Sequence, residues 1–94
     1  MTSSAPLSRD AVMPAGPAAA AVLLEPLLDE AAGPSQRVSL TLDYGTPAAA
    51  GEAVRVEAWI DRATRTLIFA HGRLIRAADR TLVASGSAVF SRGA

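Results

Sequence analysis

Glu25 and Asp29 lie four residues apart in the one stretch of this 94-residue chain that has a helical pattern. That spacing stacks two carboxylates on a single helix face, one turn from each other. Two acids held so close oppose each other's ionisation when buried, and a carboxylate poised as a general base near neutrality is made in that way. Exposed, the same pair is two hydrated acids. Other chemistry is sparse. His71 is the single histidine; it has no recognisable Ser or Cys partner and reads as a half-buried structural side chain. The chain has no cysteine, so it has no thiolate nucleophile, disulfide framework or thiolate zinc site. No phosphate-binding loop, nucleophile elbow or metal-ligand spacing occurs, and neither a metal nor an organic cofactor is expected.

Composition narrows the partners. Nine arginines, with no lysine, balance nine acidic residues to a formal charge of zero. A nucleic-acid binder ordinarily carries a basic excess that displaces phosphate counterions, so nucleic acid is not an expected partner. The longest apolar run, Ala18 to Leu24, is broken by Glu25 and Pro26 and falls far short of the roughly 20 residues needed to cross a bilayer. Arg9 is followed at once by Asp10, which does not fit a secretory signal. The expectation is a soluble cytoplasmic domain with no membrane partner. At this length one domain over residues 1–94 is expected, with a marginal core that self-association into a homodimer or dimer of dimers would supplement.

The elements that must position these groups follow from periodicity. Residues 1–15 are rich in Ser, Pro and Ala and predict a loose segment or one short strand near Ser8 to Met13. A helix is expected over 17–32, with Pro17 in its first turn, Gly33-Pro34 as a stop, and Pro26 kinking or dividing it. Leu24, Leu27, Leu28 and Ala31 form the face to bury, whereas Ala18, Val22, Glu25 and Asp29 share another. Beyond Pro34 the period changes to two. Strands are predicted over 37–44, 53–61, 65–76 and 81–91, with Val38, Leu40, Leu42 and Tyr44 on one side of the first. Gly45 to Glu52 reads as a turn and Ala78-Asp79-Arg80 as a hairpin connection. Trp59 and Phe69 read as core, with a dimer seam as the alternative place for Trp59, and Gly86 as a point of close packing. The layout is α+β: one central helix on a curved antiparallel sheet of four to five strands.

Particular residues carry a family resemblance. Leu27-Leu28-Asp29-Glu30-Ala31-Ala32-Gly33 resembles the central-helix segment of hotdog-fold acyl-CoA thioesterases of the phenylacetyl-CoA thioesterase type. Val38 to Tyr44, then Pro47, Gly51-Glu52 and Val54 to Ala58, is similar to that family's strand, turn and following strand. Arg80 to Ala84, leading to Ala88-Val89-Phe90, is similar to its last strand. The family's His-Gly-Gly, nine residues before its Asp, is replaced here by Ala20-Ala21-Val22, and the first strand and helix-to-strand loop are abbreviated.

The resemblance implies a helix wrapped by a sheet, two subunits joined into one long sheet, and acyl-thioester sites at the dimer interface. It implies hydrolysis of an acyl-CoA thioester, with Asp29 as the carboxylate that activates water or attacks the carbonyl. A helix-start amide would hold the oxyanion. Glu25 is the alternative carboxylate, because a related branch uses a helical Glu and Gly16 precedes Glu25 by nine residues. Arg73 and Arg76 are the arginines that could meet coenzyme A phosphates. A non-catalytic acyl-binding or dimerisation module is the alternative function.

Overall fold

Alternating apolar side chains draw five segments into one antiparallel sheet, and a leucine-rich helix lies across it. A computed structural model describes residues 6–92. The elements run β1 (Leu7–Val12), α1 (Ala19–Ala32), β2 (Gln36–Tyr44), β3 (Ala53–Ala63), β4 (Leu67–Arg76) and β5 (Leu82–Ser91). The expected loose segment is thus the short strand β1, apart from residues 1–5, which lie outside the described residues. The strand order is β1-β3-β4-β5-β2. Gly45 to Glu52 is therefore no simple turn between neighbouring strands. The chain leaves β2 at one edge and enters β3 on the far side of β5 and β4, against the usual adjacency of consecutive strands.

Helix α1 buries the expected stripe. Leu24, Leu27 and Leu28 are 0%, 5% and 1% exposed, and truncating any one to Ala would cost about 2–5 kcal/mol. They meet Val54, Val56 and Ala58 of β3, Ala70 and Leu74 of β4, and Ala84, Ala88 and Phe90 of β5 in one core. Glycine sets how closely the helix approaches. A Cβ at Gly72 would lie 2.9 Å from the Glu57 carbonyl and 3.3 Å from methyls of Leu24 and Leu28. One at Gly86 would lie 3.1 Å from Leu42 and 3.5 Å from Leu28. The small-residue stripe of β5 is thus a seat for the helix.

Three expectations change. Pro26 does not divide the helix, which runs unbroken over 14 residues; burial of the leucine stripe outweighs the lost hydrogen bond. Pro17 lies before the N-cap, Ala18, rather than in the first turn. Trp59 and Phe69 are half-buried on the outer face of the sheet, away from the helix, and do not belong to the core. Trp59 pairs in register with His71, and His71 with Ser87, in a row across that outer face.

Candidate active site

A β-bulge assembles the main side-chain cluster. In β2, Arg37 pairs with Phe90 and the next pairing is Ser39 with Val89, leaving Val38 as the extra residue. Strict alternation would set Arg37 opposite in sense to Leu40 and Leu42, on the outer face. The bulge instead puts it opposite the buried Phe90, on the helix side, and leaves Val38 61% exposed. From there the Arg37 guanidinium meets both acids of α1. Nη1 donates to Glu25 Oε1 at 2.8 Å, Nη2 to Asp29 Oδ2 at 2.7 Å, and Nε to Asp29 Oδ1 at 3.3 Å. The side chains of Arg37, Glu25 and Asp29 are 34%, 37% and 49% exposed.

One cation therefore serves two carboxylates, and the two acids one turn apart are bridged by a guanidinium rather than facing each other alone. The Arg37 pKa is raised above its ordinary value. Its hydrogen bond to Asp29 is the largest cause, followed by an opposing desolvation, the Asp29 charge, and then the hydrogen bond and charge of Glu25. The cluster lies beside β2, an edge strand whose helix-side residues are incompletely covered. Leu40 and Leu42 are half-buried, and Tyr44 is 65% exposed.

The start of α1 has a different character. Ala18 provides no side-chain cap. The Ala19 amide donates to the Gly16 carbonyl at 3.2 Å and Val22 to Ala18 at 2.9 Å, while the amides of Ala20 and Ala21 find no acceptor among the described residues. Gly16 adopts φ 104°, in the region glycine tolerates best, and so turns the chain into the helix. Met13, Gly16, Ala20, Tyr44, Pro47 and Val83 are among the residues lining a cavity of about 180 Å³ there. Unpaired amides at the positive end of a helix dipole beside an apolar cavity suit a developing oxyanion.

The expected site residues thus fall into separate groups. Glu25 and Asp29 come together. Gly16 lies at the other end of the helix, and ten residues separate Ala19 from Asp29, about 15 Å at the helical rise. Arg73 is on the outer face, donating from Nε to Glu57 Oε1 at 2.6 Å, with its guanidinium 5.7 Å from the centre of the Trp59 ring. Arg76 is mostly buried. It lies 3.2 Å from Glu52 Oε2 and 3.2 Å from Asp79 Oδ2, and also donates to the Pro47 carbonyl. It laces the β2–β3 crossover to the β4–β5 turn. The expected half-buried His71 shares a 3.1 Å hydrogen bond with Ser87 and lies 3.9 Å from Asp61. Among the described residues no group of three or more His, Cys, Asp or Glu could hold a metal, and no helix is long and apolar enough to cross a membrane. Arg37, the residue that joins the two acids, is absent from the sequence-based candidates.

Comparisons with known proteins bear on the family and the fold. The family model of the thioesterase superfamily matches residues 18–83. No protein of curated function matches the chain in sequence. Among solved structures, mouse thioesterase superfamily member 2 superposes with a TM-score of 0.85 at 23% identity, covering 99% of this chain and 87% of its own. The zebrafish member 2 gives 0.84 at 19% identity, covering 99% and 78%. A mutant of the phenylacetic acid degradation protein PaaI from Thermus thermophilus gives 0.80 at 18% identity, covering 94% and 85%. These likenesses match the expected hotdog architecture, one helix on a five-stranded antiparallel sheet.

Proposed function

Because this chain belongs to the thioesterase superfamily, we propose that it hydrolyses an acyl-CoA thioester, with the Glu25–Asp29 pair supplying the carboxylate. The observation that carries this reading is the cluster itself: two helical acids brought to the open edge of the sheet and held there by Arg37. Water attacks the thioester carbonyl as a carboxylate takes its proton. The tetrahedral intermediate then collapses, the C–S bond breaks, and the thiolate leaves with the proton returned, giving an acid and a free thiol. Amides at a helix start stabilise the oxyanion.

The reading includes a second copy, because the acids and the helix-start amides lie at opposite ends of α1. The helix starts beside Tyr44 and Gly45 at the end of β2 and reaches Arg37, near the beginning of β2, in its last turns. It therefore runs antiparallel to β2. A copy added antiparallel along the free edge of β2 brings its own helix start to the end that carries Glu25 and Asp29. Each site is then composed of acids from one subunit and amides from the other, and the exposed Val38 and Tyr44 are covered. The homodimer is part of the proposal.

The test is release of free thiol from a panel of acyl-CoA thioesters. Turnover by the wild type that disappears in Glu25→Gln/Asp29→Asn, with the dimer intact, supports the reading. A non-catalytic acyl-binding module is the second reading, favoured by Ala20-Ala21-Val22 standing where the family it resembles has His-Gly-Gly. It is supported by thermal stabilisation on adding acyl-CoA without any thiol release.

A further inference from the structure

The two acids of the cluster are not bound alike. Asp29 offers both carboxylate oxygens to Arg37, Oδ2 to Nη2 at 2.7 Å and Oδ1 to Nε at 3.3 Å, in the two-point geometry that fixes a guanidinium plane. Glu25 meets Arg37 through Oε1 alone, at 2.8 Å, and its Oε2 accepts no hydrogen bond among the described residues. Glu25 also lies one turn nearer the middle of the helix and is the less exposed of the two. The hydrogen bond to Asp29 is the largest influence holding the proton on Arg37, ahead of either contribution from Glu25.

We propose a division of labour within this cluster: Asp29 anchors Arg37, Arg37 presents Glu25, and Glu25 performs the proton transfer. This rests on the hydrolase reading for the identity of the reaction and moves the catalytic role from Asp29 to its neighbour. A base needs an oxygen whose lone pair is directed at water, and Glu25 Oε2 is that oxygen. Each Asp29 oxygen keeps a second lone pair, but a proton there would weaken a contact to Arg37, whereas Glu25 Oε2 takes one without touching the clamp. Arg37 is then a positioning residue. Its single contact fixes one oxygen of Glu25 and leaves the other without a hydrogen-bond partner among the described residues. The bulge at Val38 is what brings it there. When Glu25 takes the proton from the attacking water, the Arg37 contact to Oε1 remains. The same oxygen, Oε2, returns the proton to the departing thiolate.

Two measurements on the full-length protein test this together. The first needs no turnover: nitrogen NMR of the Arg37 side chain, assigned by its loss in Arg37→Gln. Anchoring by Asp29 predicts slow rotation about Nε–Cζ, with resolved Nη signals, in the wild type and in Glu25→Gln, and averaged signals in Asp29→Asn. Resolved signals that survive Asp29→Asn, or collapse in Glu25→Gln, overturn the clamp. The second is kinetic. Loss of a general base predicts a fall in kcat of about 100-fold or more for Glu25→Gln. Asp29→Asn and Arg37→Gln, acting through position, should each lower kcat by roughly tenfold with KM changed little. Arg37→Lys, which keeps the charge and loses the fork, should fall between the wild type and Arg37→Gln. A larger loss in Asp29→Asn than in Glu25→Gln overturns the division. A wild type with no turnover overturns the hydrolase reading and the role of Glu25 with it, while the NMR result still decides whether Asp29 anchors Arg37.

Discussion

Arginines reach helix α1 from both edges of the sheet, Arg9 from β1 and Arg37 from β2, and the two contacts differ in construction. Arg9 Nη2 meets Glu30 Oε2 at 2.6 Å, with both side chains 52% exposed, above a groove of about 240 Å³ floored by Ala11, Leu27 and Val56. It is one contact between two side chains that are each half exposed. Arg37 makes three contacts to two acids and is more enclosed. The strands differ in the same sense. Edge strand β1 shows water Ser8, Arg9 and Asp10, and Asp10 is paired with Arg55. Edge strand β2 leaves Val38 and Tyr44 exposed. Charges along an edge discourage pairing with another chain, and apolar side chains invite it. The β1 edge, apart from Val12 at its end, is finished with charged and polar side chains, whereas the β2 edge leaves Val38 and Tyr44 open, and the ionic cluster lies beside it.

The largest expected effect is on association. Placing two charges on the apolar edge, in Val38→Asp/Tyr44→Asp, should weaken self-association by roughly 100-fold or more, since unpaired charges would enter the seam. Val12→Asp on β1, at a residue equally exposed (63%), should leave it unchanged. Sedimentation over a concentration series measures both. Equal effects at the two edges would remove the distinction between them.

A second test concerns Pro26, which lines the β1-side groove and has no N–H to offer the Val22 carbonyl one turn back. Since the helix is intact around it, Pro26→Ala should restore a donor and raise stability by about 1–2 kcal/mol, less than the full helical penalty of proline because Pro26 also restricts the unfolded chain. A lower melting temperature would mean that the groove depends on the proline ring. The two arginines then compare directly. Arg37→Ala should cost about 1 kcal/mol and Arg9→Ala roughly 0.3 kcal/mol, the ordinary range for a partly enclosed fork and for an exposed pair. Molar salt should shrink the Arg9 effect proportionally more. Denaturant melts at two ionic strengths give both values, and indistinguishable costs would show that the additional contacts of Arg37 contribute nothing to stability.

Much of this was legible in the chain, for reasons that also mark where legibility ends. Period two located all four later strands, because half-buried sheet faces require it. The 3.6 period selected Leu24, Leu27 and Leu28, and their burial agrees. Gly86 was legible as close packing because only glycine among small neighbours implies a backbone approached by another element. Strand order was not legible, since apolar alternation in β2 and β3 reads the same whether they pair or lie apart. Trp59 and Phe69 were misplaced because large aromatics favour burial on average, while here their positions in register send them outward. Arg37 was invisible for a sharper reason. Its side-chain direction depends on one extra residue in β2, and a bulge leaves no signature in apolar alternation that already ran smoothly through Val38. The acids could be named from helical spacing, but the cation that organises them could not.

The smallest effect lies in the link that carries the chain from the β2 edge to β3. Arg76 holds that crossover by way of Pro47 and Glu52 and meets Asp79 in the β4–β5 turn. Asp79 Oδ1 accepts the Thr81 amide at 3.1 Å and the Thr81 hydroxyl at 2.8 Å. These bonds, the hydroxyl's foremost, favour the ionised carboxylate, and with a lesser part from Arg76 they hold the Asp79 pKa below its ordinary value. A carboxyl whose pKa is lower folded than unfolded binds fewer protons in the folded state. Its contribution is therefore complete above the unfolded carboxylate value of about 3.9 and is lost as pH falls through the lower folded value. Wild type and Asp79→Asn should differ by a constant increment between about pH 5 and pH 8, and that increment should close on further acidification. Urea melts across this range measure it. A gap that persists unchanged into strong acid would mean that the Asp79 side chain holds the turn by its shape and not by its charge.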